Sequence, residues 1–334
     1  MPIRTIVLSI VVALVSGFAR GQTPALKLDR TIPLPGVEGR IDHLSADLDA
    51  GRVFISALGN GTVEVVDVRR GQRIGEIKGL KEPQGVLYVP RHHMVYVASD
   101  GDGTVRAYNA QTLAPAGSIS LGDDADNLRY DRHNDKVVVG YGSGAIAFLS
   151  PDLSGKSEVH LPVHPESFQF SSDGAHLLVN LPNDQSIALI DISALKVTSK
   201  WTHLGAQANF PMTVDNQAGR FFVVCRRPSE LLELDQFNGS VQHRIHTVAD
   251  ADDLFFDVAR RRIYVIGGGA YVVGGEGFVD IIDAPKNGNL KSIGHVFTDY
   301  GARTGLFVPA WNRLLVAAPK RGNDPARLLV YALH

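Results

Sequence analysis

The chain has one cysteine in 334 residues, Cys225. No intramolecular disulfide can form, so the fold has to be held by a buried core. Cys225 sits in the apolar run FFVVCRR, the setting of a buried structural thiol. A nucleophilic cysteine needs an exposed, electropositive surround. Net charge is also nearly absent, with 33 Lys and Arg against 35 Asp and Glu. Such a chain has no broad basic face, which excludes nucleic acid as a general partner. Of three small basic clusters, Arg91-His92-His93, Arg226-Arg227 and Arg260-Arg261-Arg262, most are expected to be solvated turns. Beyond the first 21 residues no run is long and apolar enough to span a bilayer, so the mature chain is expected to have no membrane span. There is no GxSxG nucleophile elbow and no CxxCH haem site.

The first residues, MPIRTIVLSIVVALVSGFARGQ, stand apart. A positive Arg4 precedes an apolar run from Ile6 to Val15, and Ala19 and Gly21 sit at the −3 and −1 positions of a cleavage before Gln22. This is the pattern of a secretory signal peptide over residues 1–21. The alternative is an uncleaved anchor, for which the apolar core is short. With no cysteine nearby, a lipoprotein anchor is excluded. Losing Arg4 and Arg20 takes the net charge from −2 to −4. The mature chain, residues 22–334, is expected to be exported to a bacterial periplasm or secreted, as a monomer.

What the chain has in quantity is glycine, 34 residues, set among many short apolar runs. That combination points to a turn-rich all-β protein. One strand start recurs as Val53, Val95, Val137, Leu177, Phe221, Ile263 and Leu314, at spacings of 42, 42, 40, 44, 42 and 51. A period near 42 residues is that of a four-stranded propeller blade. The first copy reads as inner strand A (HLSAD), strand B (RVFISAL), a GNG turn, strand C (TVEVVDV) and strand D (QRIGEIKG). The seventh copy shows only three strands before His334, whereas LKLDRTIPLPG near residue 30 resembles the fourth strands. The expectation is an all-β, seven-bladed β-propeller, a single domain over residues 22–334. Its four-stranded antiparallel blades form a ring that an N-terminal strand at about 26–35 closes.

At MVYVASDGDGTVRAYNAQT and RVFISALGNGTVEVVDVRRG the sequence resembles the YVTN-type repeat of YncE-like propellers. FSSDGAHLLV is similar to the matching turn of that family. The resemblance covers nearly all of the mature chain and implies the fold. It implies no common catalytic motif. The sixth copy departs from it by a longer insertion, GGGAYVVGGEG at 267–277. No helix or Lys-Ser/Thr follows, which rules out a phosphate loop. A loop at the channel mouth is expected there, with Tyr271, Val272 and Val273 exposed.

Chemistry in propellers gathers at one mouth of the central channel. The position eleven before each strand-B start falls where strand A begins, and reads Asp42, Gln84, Asp126, Glu166, Phe210, Asp252 and Arg303. The next position contributes His43, Asn127 and Asp253. Converging carboxylates repel, so they call for a cation, a basic partner or raised pKa values. Their oxygens suit a hard divalent cation such as Ca²⁺, held by Asp42, Asp126, Glu166 and Asp252. His43 would suit a transition metal or proton transfer. A hydrated channel mouth is the plain alternative. His160, His164, His243 and His246 are expected at the surface. Two function classes remain. The first is an exported, non-catalytic propeller binding a protein, peptide, small ligand or cation at the mouth. The alternative is a metal-dependent, lactonase-like hydrolase or lyase using the acidic ring.

Overall fold

The computed structural model describes residues 24–269 and 275–334. The expected leader and its expected cleavage point lie outside them, as do Tyr271, Val272 and Val273. The described residues form seven four-stranded antiparallel sheets. Blades 1 to 6 begin with inner strands Leu44–Asp47, Pro83–Val89, Ala125–Asp131, Phe168–Phe170, Gln207–Asp215 and Ala251–Asp257. Blade 7 begins with Thr304–Val308, and its outermost strand is the N-terminal Leu26–Pro33, which pairs with Arg327–Leu333. The ring is therefore closed as expected. Ile32 and Leu34 on the closing segment are fully buried.

Burial follows from the stacking of blades. The second strand of blade 1, Arg52–Ala57, is covered on both faces by its neighbours, so five of its six residues in a row are buried. The outermost strand of blade 4, Lys196–Trp201, alternates exposed and half-buried residues, because one face meets water. The core is divided into seven apolar clusters, each drawn mainly from two adjacent blades. Val53 and Ile55 of blade 1, for example, pack with Leu315 and Leu328 of blade 7. Aspartates shape the turns between strands A and B: Asp131 accepts from the backbone of His133 and Asn134 at 2.9 and 3.1 Å, and Asp257 does the same for Ala259 and Arg260.

Two of the three basic clusters are not solvated turns. Arg260 donates to Asn312 of blade 7 at 2.6 Å, Arg261 to Asp215 of blade 5 at 3.0 Å, and Arg262 to the His334 carbonyl at 2.6 Å. These long side chains staple blade 6 to both neighbours. Arg220 lies buried between Asp215 and Glu233, at 3.0 and 2.9 Å. In the second cluster Arg226 turns inward, as described next. In the first, Arg91 and His93 are exposed as expected.

Candidate functional site

The mouth is built on β-bulges. In blade 3 the pairing passes from Ala125–Tyr141 to Leu128–Val139, leaving Asp126 and Asn127 opposite Gly140 alone. Blades 2, 5 and 6 slip at the corresponding place. An extra residue in one strand bends it and re-aims its side chains. Two consecutive residues can then serve the channel where a regular strand would send one away. The backbone is crowded there, and a Cβ on Gly85 would stand 2.1 Å from the Asp126 carbonyl oxygen of the next blade.

Asp42, His43, Gln84, Asp126, Asn127, Glu166, Asp252 and Asp253 all line one cavity of about 100 Å³, together with Phe210. The sequence arithmetic therefore places eight residues from five blades at one point. Arg303 lines an adjoining cavity with Arg40 and Asp250 instead, and reaches round to Asp252. Three residues further along each inner strand lies a second tier, of which Arg129, Gln169, Thr213 and Phe255 line the same cavity. Two residues before the first tier lies the rim, reading Arg40, Glu82, Asp124, His164, Ala208, Asp250 and Gly301. Five of these seven, Glu82, Asp124, Ala208, Asp250 and Gly301, have positive φ, so the repeat turns the chain sharply just before it enters the channel.

The acidic ring is charge-paired. Arg40 donates to Asp42 at 2.6 Å. Arg303 meets Asp252 at 2.6 Å and Asp250 at 3.2 Å. Arg226 bonds Asp252, sits 3.4 Å from Asp250 and covers the Phe210 ring at 3.8 Å. His43 lies between Asp42 and Asp253, 3.7 Å from each. His164 Nδ1–H donates to the Gly142 carbonyl at 2.6 Å, and the ring lies 3.2 Å from Asp124 and 3.9 Å from Asp126. His164 is thus a rim residue and not a surface histidine, whereas His160 and His246 are exposed as expected.

Burial and neighbours set the protonation states. Burial pushes the Glu166 carboxyl up to about 8, with Asp126 adding to the shift and His164 opposing it. Burial lifts Asp253 to about 6 against the pull of His43 and the Gly305 amide, which donates to it at 2.7 Å. Burial likewise lifts Asp124 to about 6 and raises Asp42. It opposes ionisation of Asp126 too, but there the neighbouring His164 and the charge of His43 win, and the pKa falls. For His164 burial acts downward, but the nearby Asp126 and the Gly142 carbonyl outweigh it and raise the pKa to about 9. For His43, Asp42 and Asp253 outweigh burial and raise it.

The bases beside Arg303 escaped the sequence reading for a geometric reason. The site positions read from the repeat are two consecutive residues of the inner strand. Arg129 was one tier deeper, Arg40 and His164 one tier higher, and Arg226 lies at the mouth end of a second strand, Arg220–Arg227. The same repeat arithmetic, applied at neighbouring offsets, contains the first three.

Among the described residues no three His, Cys, Asp or Glu side chains gather in a metal-holding arrangement. No protein-family model matches the chain, and no curated protein matches it. Solved structures do resemble it. A chain of Kuenenia stuttgartiensis hydrazine synthase superposes with a TM-score of 0.73 at 15% identity, covering 90% of this chain and 99% of that one. A chain of a mitotic checkpoint complex gives 0.76 at 12%, covering 100% of both. The Myceliophteria thermophila Cps50 (Swd1) β-propeller domain gives 0.72 at 10%, covering 92% and 100%. At such identities the likeness is one of fold. The chain is a seven-bladed β-propeller.

Proposed function

We propose that the chain is an exported binding propeller without chemistry of its own, which takes a peptide, protein or small ligand at the mouth where its inner strands begin. One observation carries this reading: charged side chains from several blades converge on a cavity of about 100 Å³ and are held in place by ion pairs. That volume is below the several hundred Å³ of ordinary small-molecule sites, so it suits the tip of a ligand whose remainder rests on the rim. Fixed polar groups lose little freedom when such a tip docks. The repeats are read as YVTN-type, on the residues that resemble that family. Export rests on the leader pattern of residues 1–21.

The test is selection of displayed random peptides on immobilised protein spanning residues 22–334. Gln84→Trp, which narrows the mouth, serves as the counter-screen, with circular dichroism to confirm its fold. Selected peptides should bind at least tenfold more weakly to Gln84→Trp, a loss of about 1.4 kcal/mol. Binders that ignore Gln84→Trp would place recognition elsewhere.

A further inference from the structure

The mouth has hydrogen-bond acceptors in excess. Asp126 is 5% exposed and Asn127 3% exposed, yet Oδ1 of each has no hydrogen-bond partner. Their other atoms are engaged, since Asn127 Nδ2 donates to Asp126 Oδ2 at 3.2 Å. Glu166 lines the same cavity from the next blade, and among the described residues nothing hydrogen-bonds or ion-pairs with its carboxylate. Glu166 is half-buried, whereas the Asp126 and Asn127 oxygens are buried, and such oxygens are nearly always satisfied. Two buried acceptors without donors, beside a carboxyl that an approaching cation can ionise, are complemented by a group that carries several donors and a positive charge.

We propose that the cavity receives a single organic cation, a primary ammonium or guanidinium, bound between Asp126, Asn127 and Glu166. This rests on the reading of the mouth as the binding site and names its ligand class. An ammonium offers three donors and a guanidinium five, and neither accepts. The cavity of about 100 Å³ has room for such a head and a short alkyl stem. The same chemistry comes from a free amine or from a lysine or arginine of a peptide. Geometry and charge agree on Glu166. Its charged neighbours are Asp126, His164, Asp252 and Arg226, and burial raises its pKa to about 8. An incoming cation stabilises the carboxylate, so docking expels the Glu166 proton to solvent while the ligand keeps its own.

The experiment is calorimetric titration of the protein at pH 7 with n-butylammonium chloride, in buffers of different ionisation enthalpy. 1-Butanol, sodium chloride and calcium chloride are the comparisons. Expected are saturable binding of n-butylammonium, release of a substantial fraction of one proton per ligand, and no binding of 1-butanol. Glu166→Gln should abolish the proton release and weaken binding about tenfold. The proton count is read on the unaltered protein, so it stands even where a variant folds poorly. No binding of n-butylammonium, equal binding of 1-butanol, binding without proton release, or response to calcium alone would overturn the proposal. The last outcome would assign the oxygens to a metal. N-acetyl-lysine methylamide tests the peptide source, and tighter binding than n-butylammonium favours it. If selected peptides are blocked by Gln84→Trp but ignore Glu166→Gln and need no basic residue, the mouth still binds and the cation assignment falls. If no peptide responds to Gln84→Trp, the mouth reading falls by itself.

Discussion

The Nε of Arg303, at the start of blade 7, lies 2.6 Å from Oδ2 of Asp252 in blade 6. Both residues hold the same repeat position, so the contact joins two neighbouring copies of one site. Asp252 also receives Arg226 from blade 5, which makes one carboxylate the joint of three blades. Removing one member of a largely buried pair strands its partner. A double-mutant cycle with Arg303→Met and Asp252→Asn should give a coupling of about 1–3 kcal/mol by urea unfolding. A coupling near zero would show that the pair is solvent-screened and does not fix the mouth.

Closure by the N-terminal strand makes a separate claim on stability. Ile32 is fully buried in the cluster shared by blades 7 and 1. Ile32→Ala should cost about 2–5 kcal/mol. Deleting residues 22–35 exposes the edge formed by Arg327–Leu333 and should cause aggregation or a large fall in melting temperature. A truncated protein that melts like the full mature chain would contradict this.

The ring was legible in the sequence because a propeller repeats one register. Val53, Val95 and their equivalents mark the same strand, and Asp42, Asp126 and Asp252 precede their copies of it at a fixed offset. The neutralising bases were less legible. Arg226 belongs to FFVVCRR, where nothing local tells whether a basic residue at a strand end turns to water or to the channel. Its direction is decided by Phe210 and Asp252, which are distant in sequence and belong to the inner strands of blades 5 and 6. The Arg260–Arg262 staples escaped for the same reason, since their acceptors, Asp215, Asn312 and His334, lie on other blades.

Export has a direct measurement. In an exporting bacterial host, intact-mass analysis of the soluble product should show a chain beginning at or near Gln22. An intact Met1 in the membrane fraction would speak for an anchor.

Cys225 offers a probe of global opening. It is fully buried, and burial pushes its thiol up to about 12, with Glu230 adding to the shift. A buried thiol of this kind gives almost no thiolate at pH 8. Labelling by an aromatic disulfide reagent should be negligible in native conditions and complete in concentrated urea. Rapid native labelling would mean that blade 5 opens locally.

The mouth also sets the pH dependence of stability. Glu166 is raised from 4.5 to about 8, so between those values the folded chain holds a proton that the unfolded chain has lost. Its contribution is full below 4.5 and disappears as pH rises through about 8. His164, raised from 6.5 to about 9, acts in the same direction over a higher window. Asp124 and Asp253, raised from 3.8 to about 6, act over a lower one. Stability should therefore fall steadily from pH 5 to pH 9. Glu166→Gln removes one ionisation while keeping the shape of the side chain. Each pKa unit corresponds to about 1.4 kcal/mol, and partial solvent screening reduces what a half-buried group retains. The variant should match the wild type at pH 4.5 and exceed it by about 2–4 kcal/mol at pH 9, with the residual slope between pH 6.5 and 9 left to His164. Urea unfolding at five pH values measures this. Parallel curves for the two proteins would mean that Glu166 ionises freely in the channel, and the donor-seeking role given to it would lose its electrostatic support.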